Sequence, residues 1–329
     1  MSVAAALPLL ACSLALTLGG AATFARRLDR LGARHGLPEV WIGILTALAA
    51  DGPEISSALI ALARGSHGAS VGVIVGSCTF NLATMLGLTA LVTGAVVVTR
   101  ATLALEGAVA LIVTATVIAL LAGGLPAGAA AAVAAGTVAL YLLLALGGGD
   151  ALTRLGLRRL AALLPDRAAH AGHGAEGLAH EFRTRRQLAL IGLDLALIVG
   201  GSFGMVSAAL SLGHRWGVAA PIVGALVLGP LTSLPNALTG VRLGLAGRGA
   251  ALVTETLNSN TINLLAGVAV PSLFVTLAAH SDADRLGLAL LGAAMAAVVA
   301  LLAPRRGLGR AGALVLLALY AGFVAVTLG

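Results

Sequence analysis

Asp51 and Glu54 stand three residues apart, separated by Gly52-Pro53, inside a long apolar segment. A carboxylate in apolar surroundings is costly unless it binds a proton, a cation or a hydrogen-bonding partner. Glu54 is therefore a candidate for binding an ion, or else a protonated acid bonded to a nearby carbonyl. Asp51 shares its side if a helix runs through the pair, or stays protonated because two close negative charges oppose each other. Further on, Ser77 and Asn81 are four apart, hence on one helix face. They offer a hydroxyl and an amide oxygen, the hard ligands that Ca2+-like cations accept. Such residues also make hydrogen bonds between apolar helices, but the pair recurs as Ser259 and Asn263, which favours coordination.

The recurrence is wider than that pair. A gapless shift of 182 positions lays Pro53 on Pro235, Gly65 on Gly247, Ala69 on Ala251, Ser77 on Ser259, Thr79 on Thr261, Asn81 on Asn263 and Leu82 on Leu264. Coincident Pro, Ser, Thr and Asn inside apolar segments mark an internal duplication, with one motif over 51–81 and the other over 232–263. The second copy opens with Thr232, Ser233, Pro235 and Asn236, so a neutral amide stands in the place of Glu54. Glu255, opposite Val73, either restores the missing charge or faces the inner vestibule and Arg248. Asp194 is either a further ion or proton site or a hydrogen-bonded acid.

The elements that must carry these residues are membrane helices. Of the 329 residues, 59% are hydrophobic and 10% charged, against about 25% charged in soluble domains. A helix needs about 20 apolar residues to cross the hydrocarbon layer. Ten candidate spans follow at 3–24, 38–64, 69–92, 101–122, 126–146, 187–212, 218–244, 250–275, 284–303 and 311–328. Strand alternation is absent, which leaves a barrel unsupported. The Gly-Pro break in the second span and the Pro230 and Pro235 breaks in the seventh remove helix hydrogen bonds. Inside a bilayer such breaks survive where they are buried or line a wet cavity.

The net charge of +7 does not indicate nucleic-acid binding, because the 20 basic residues, all Arg, are placed asymmetrically. With the N-terminus outside, 17 fall in inner loops, and Arg64, Arg215 and Arg285 fall outside. This positive-inside bias places both termini outside an inner, plasma-type membrane. Residues 1–24 are read as a retained first span rather than a signal peptide, since four Arg follow the apolar run and none precedes it. Cys12 and Cys78 lie in spans and imply no disulfide. The chain divides into a five-helix repeat over 1–146, a cytoplasmic linker over 147–186 and a second repeat over 187–329. In the linker, Leu152 to Leu164 forms either an amphipathic helix on the inner leaflet or a solvated stretch. Glu106 reads as an Arg partner or interfacial acid. An odd number of spans per copy inverts the second copy, giving two inverted repeats with broken helices at the midplane, an architecture of secondary transporters.

These motifs resemble the calcium/cation antiporter superfamily, whose best-known branch is the sodium/calcium exchangers. Its repeats read approximately G-T-S-x-P-E on one helix and G-S-N-x-F-N on the next. The first is similar to Asp51-Gly52-Pro53-Glu54 and to Thr232-Ser233-Leu234-Pro235-Asn236. The second is similar to Gly76-Ser77-Cys78-Thr79-Phe80-Asn81 and to Asn258-Ser259-Asn260-Thr261-Ile262-Asn263. The resemblance implies an antiporter exchanging Ca2+ or another cation for Na+ or H+, without cofactor or covalent chemistry. It also implies that Glu54 binds the cation with Ser77, Asn81, Ser259 and Asn263, and that Thr232, Ser233 and nearby carbonyls line sites. Spans 1 and 6 would slide across the core. The chain departs from the pattern at Asn236, where an acid is usual, at Asp51 in place of Ser, which can restore the charge, and at Cys78 in place of Asn. Other readings are a monovalent cation/proton antiporter, a non-transporting membrane partner, and an intramembrane hydrolase built on Ser202 of Gly200-Gly201-Ser202-Phe203-Gly204, which has no base in any span.

Overall fold

The computed structural model describes residues 1–34, 50–154, 179–304 and 307–329. In chain order the helices are α1 (Val3–Arg34), α2 (Gly52–Ala63), α3 (His67–Thr93), α4 (Arg100–Leu121), α5 (Ala127–Arg154), α6 (Ala179–Arg215), α7 (Ala220–Thr232), α8 (Leu234–Leu245), α9 (Gly249–Leu264), α10 (Asp282–Leu302) and α11 (Arg310–Leu328). Among the described residues seven of these are long and apolar enough to cross a membrane, or eight if α7 and α8, bent by 46°, form one span. The difference from the ten expected spans lies where the polar motifs are. The second span is described only from residue 50, as the short α2. The eighth, α9, is interrupted by Glu255, Asn258, Ser259, Asn260, Thr261 and Asn263.

The helices outrun their apolar stretches at the linker. α5 continues to Arg154 and α6 begins at Ala179, both inside the stretch expected to be linker. The amphipathic reading of Leu152 to Leu164 falls mostly outside the described residues. A two-residue antiparallel ladder, which the sequence did not signal, pairs β1 (Ala95–Val96) with β2 (Leu308–Gly309). Ends are closed locally: Thr99 Oγ1 accepts from Thr102 N at 3.1 Å before α4. Ser281 and Asp284 form a capping box at the start of α10, satisfying amides a helix start otherwise leaves bare.

The duplication is visible in the backbone. Asp51 and Ser233, 182 apart, interrupt their helices with nearly the same angles, φ −83°, ψ −6° and φ −84°, ψ 0°. The turns that follow also repeat: Gly65 (φ 73°) and Gly247 (φ 69°) take the left-handed conformation that only glycine adopts freely. Ser66 N and Arg248 N then each donate to the carbonyl five residues back at 2.9 Å. π-helical turns at Leu82–Leu88 and Leu265–Ala269 also correspond to within a residue, closely following the motifs ending at Asn81 and Asn263.

Packing is closest where glycines line a seam. Gly68, Gly72 and Gly76 recur every fourth residue of α3 and face α7; a Cβ on Gly72 would lie 2.5 Å from the Pro221 carbonyl, and one on Gly76 would strike the Ala225 carbonyl. Gly229 of α7 returns the contact, 2.8 Å from Ser77 N by the same measure. This is the small-xxx-small mode by which membrane helices approach. Gly240 and Gly244 of α8 meet Met85 and Thr89 of α3 in the same way. α1 lies along α6, with Gly20 against Asp194 and Ile198, and with Gly201 and Gly204 against Ser13 and Thr17.

Candidate functional site

The two helix breaks bring their polar residues together. α2 opens directly after the Asp51 bend, with Pro53 near its start, where the missing N–H is no loss. α8 opens in the same way after Ser233, with Pro235 in the matching position. Each short helix thus presents its first turn, Glu54 on one and Asn236 on the other, to the middle of the molecule. Between them pass α3, carrying Ser77 and Asn81, and α9, carrying Ser259 and Asn263.

The amide of Asn236 lies at the centre. Its Nδ2 donates to Asp51 Oδ1 at 3.0 Å and to Glu54 Oε1 at 3.1 Å, and is 3.2 Å from Ser259 Oγ. Ser233 Oγ donates to Glu54 Oε1 at 3.0 Å, and Ser259 Oγ to Asp51 Oδ1 at 2.5 Å. Asn81 Nδ2 reaches Ser259 Oγ at 3.4 Å. Asp51 and Glu54 are both fully buried. Their second oxygens, Asp51 Oδ2 and Glu54 Oε2, have no hydrogen-bond partner among the described residues; the same holds for Asn81 Oδ1 and for both amide atoms of Asn263. Buried acceptors without donors are expensive. Oxygens of these kinds, from carboxylates and from side-chain amides, are the type a hard cation takes.

Other expected residues take different parts. Ser77 Oγ donates to the Ile74 carbonyl at 3.0 Å, and Thr232 Oγ1 to the Leu228 and Gly229 carbonyls at 2.9 and 3.0 Å, so both hydroxyls face their own helices. Their remaining lone pairs stay available. Glu255 is half-buried one turn before Ser259, within electrostatic range of both Asp51 and Arg248. Asp194 is not brought to the cluster: its oxygens accept from Thr23 Oγ1 at 2.7 Å and from Arg27 at 2.9 Å, in a pairing that ties α6 to α1. Ser202 shares a 2.7 Å hydrogen bond with Ser56 of α2, and so belongs to helix packing.

Two arrangements went unforeseen in the sequence. Cys78 and Asn260, 182 apart, bond reciprocally: Asn260 Nδ2 donates to the Cys78 carbonyl at 3.0 Å, and Cys78 Sγ to the Asn260 carbonyl at 3.8 Å. The register of the duplication held that signal, since the two residues occupy equivalent positions in the two copies. In the second arrangement Glu106, expected near the interface, is only 3% exposed and accepts from Tyr141 Oη at 3.1 Å. That phenol accepts in turn from Asn258 Nδ2 at 2.9 Å.

Comparison with known proteins adds the lineage. A family profile described as sodium/calcium exchanger protein matches residues 5–147 and 186–329. Among solved structures, the sodium-calcium exchanger NCX_Mj soaked with 10 mM Na+ and zero Ca2+ is 20% identical, with a TM-score of 0.63 over 98% of this chain and 99% of that one. The same exchanger soaked with 100 mM Na+ and 10 mM Sr2+ gives 0.61 at 20% identity over the same shares. Native YfkE is 14% identical, with a TM-score of 0.63 over 98% of this chain and 99% of its own. At these identities the likeness is one of fold. A search of curated protein sequences returns no match.

Proposed function

The chain belongs to the sodium/calcium exchanger protein family, so it is an integral membrane cation exchanger rather than an enzyme, and from that premise we propose that it moves Ca2+ or another cation against Na+ or H+ through the Asp51–Glu54 cluster. The carrying observation is the pair of buried carboxylates held together by Asn236, each with a second oxygen that has no hydrogen-bond partner among the described residues. Two negative charges match one divalent ion, or two monovalent ones. Competition of both loads for the same two charges is the physical basis of exchange. Asp51 takes the place of the charge that Asn236 lacks, so both acids come from the first repeat. Asn81, Asn263 and Ser259 complete the ligand set, and Ser77, Ser233 and Thr232 line it. Glu255 lies on the inner approach, where its charge attracts cations.

The proposed route is alternating access by two inverted five-span repeats, 1–146 and 187–329, joined by the linker 147–186, with both termini outside the plasma (inner) membrane. Reciprocal bonding of Cys78 with Asn260 supports a two-fold relation between the halves, because a repeat related by translation would not bring equivalent residues face to face. The Arg distribution supports the orientation. The neutral Asn236 supports a second reading, a monovalent cation/proton antiporter in which Glu54 or Asp51 alternates between proton and ion.

Titration of detergent-solubilised protein with CaCl2 and with NaCl, read by thermal stability, tests the site. Wild-type protein is expected to gain melting temperature with one or both salts, well beyond choline chloride at equal ionic strength, and Glu54→Gln to lose that gain. An equal gain in Glu54→Gln sinks the assignment.

A further inference from the structure

The polar chain Asn258–Tyr141–Glu106 joins three helices, α9, α5 and α4, and includes a carboxylate buried within a membrane helix. It has no counterpart in the other half of the molecule. Shifted by 182 positions, Asn258 corresponds to Gly76, Glu106 to Leu288 and Tyr141 to Phe323. Leu288 and Phe323 are buried core residues, and Gly76 packs directly against α7. The duplicated architecture therefore closes around apolar residues at these positions, and the chain places a polar triad where packing alone suffices. A buried carboxylate is an expensive way to fill such a position.

The triad bears on the cation site through one residue of α9. Asn258 precedes Ser259, whose hydroxyl donates to Asp51 at 2.5 Å. Neighbours on a helix point about 100° apart, so α9 is held on two sides at the same level: Ser259 by the carboxylate cluster and Asn258 by Tyr141. Rotation of α9 about its axis would carry Ser259 away from Asp51, and would turn Asn263, one turn on along the same face, with it. The direction of the hydrogen bonds is fixed at the far end. Glu106 takes the phenol's only proton, which leaves the phenol oxygen as an acceptor and so orients the Asn258 amide with its NH2 toward Tyr141.

We infer that Glu106 and Tyr141 are positioning residues that set the rotation of α9 through Asn258, and thereby the cation affinity of the cluster formed by Asp51, Glu54, Ser259 and Asn263. The inference rests on the proposed assignment of that cluster. Neither residue touches the cation. Tyr141→Phe removes the bonds to Glu106 and to Asn258 while keeping the ring. Asn258→Ala removes the far end of the chain, and Glu106→Gln keeps an acceptor but adds a competing donor.

The test titrates wild type, Tyr141→Phe, Asn258→Ala, Glu106→Gln and the Tyr141→Phe/Asn258→Ala double variant with CaCl2 and with NaCl. It reads the cation-dependent thermal shift beside the melting temperature in choline chloride. The expected result is a half-saturating cation concentration raised about 5- to 20-fold in each single variant, as loss of one or two buried hydrogen bonds implies. The double variant should be no worse than the weaker single, and basal melting temperatures should change little. Wild-type half-saturation in Tyr141→Phe and Asn258→Ala overturns the inference. So do losses that multiply in the double variant, or affinity losses that simply track lowered basal stability. A wild-type protein that gives no shift with either salt sinks the cluster assignment, and this inference with it. A wild-type shift with unaltered variants sinks this inference alone.

Discussion

At the scale of single residues, the function comes down to which oxygens are already satisfied. Asp51 Oδ1 and Glu54 Oε1 each receive two hydrogen bonds, while their partner oxygens receive none among the described residues. Asn236 sits where a third charge would change the count. Asn236→Asp is expected to raise the divalent preference, measured as a lower half-saturating Ca2+ concentration relative to Na+; an unchanged ratio would place residue 236 outside the coordination sphere. Asp194→Asn is expected to leave cation half-saturation at the wild-type value, because Arg27 and Thr23 already hold that acid away from the cluster. A shift of more than about threefold, close to 0.7 kcal/mol, would contradict this. Much of the cluster was legible from residue type and spacing: Glu54, Asp51, Asn81, Asn236 and Ser259 announced themselves as polar groups inside duplicated apolar segments. Glu106 did not, since a lone acid near an Arg reads as interfacial until Tyr141 and Asn258 are seen beside it. Tyr141, 35 residues further on in the next helix, carries no local pattern.

At the scale of elements, the short helices α2 and α8 bring the polar residues of the two helix breaks together, and the glycine seam of α3 brings those breaks within reach of each other. The breaks could be read from Pro53 and Pro235, but their nearly identical dihedral angles could not, and neither could the π-helical turns after Asn81 and Asn263. Those depend on hydrogen bonds set by tertiary packing, which no residue pattern specifies. The seam makes a sharp prediction. Gly76→Val places a branched side chain on the Ala225 backbone, and overpacking of this kind costs about 1 to 3 kcal/mol or more. The variant should show a lower melting temperature and reduced cation response together, whereas Gly128→Val, with open space around the glycine, should match wild type. Equal tolerance at both positions would refute close packing of α3 on α7.

For the whole molecule, the duplication is the organising fact, and it extends from side chains to backbone turns. The proposed inversion places the two equivalent turns, at Ser66 and Arg248, on opposite faces of the membrane. Single cysteines at these positions, in a background with Cys12 and Cys78 replaced, should divide under a membrane-impermeant maleimide applied to intact cells: Ser66→Cys labelled, Arg248→Cys protected until the membrane is permeabilised. Labelling of both from outside would rule out inverted repeats. Fold class and membrane character were plain from composition, whereas the polar motifs lower the apolarity of the helices that carry them, so that among the described residues length and apolarity pick out seven or eight of the ten proposed spans. The central claim is that the Asp51–Glu54 cluster exchanges cations, and reconstituted vesicles test it most directly. Ca2+ uptake would be followed under an outward Na+ gradient and under a pH gradient, with Glu54→Gln alongside. Gradient-driven uptake by wild type that disappears in Glu54→Gln is the expected result, whereas undiminished uptake in Glu54→Gln, or no gradient-driven movement of Ca2+ by wild type, would contradict exchange of Ca2+ through this cluster.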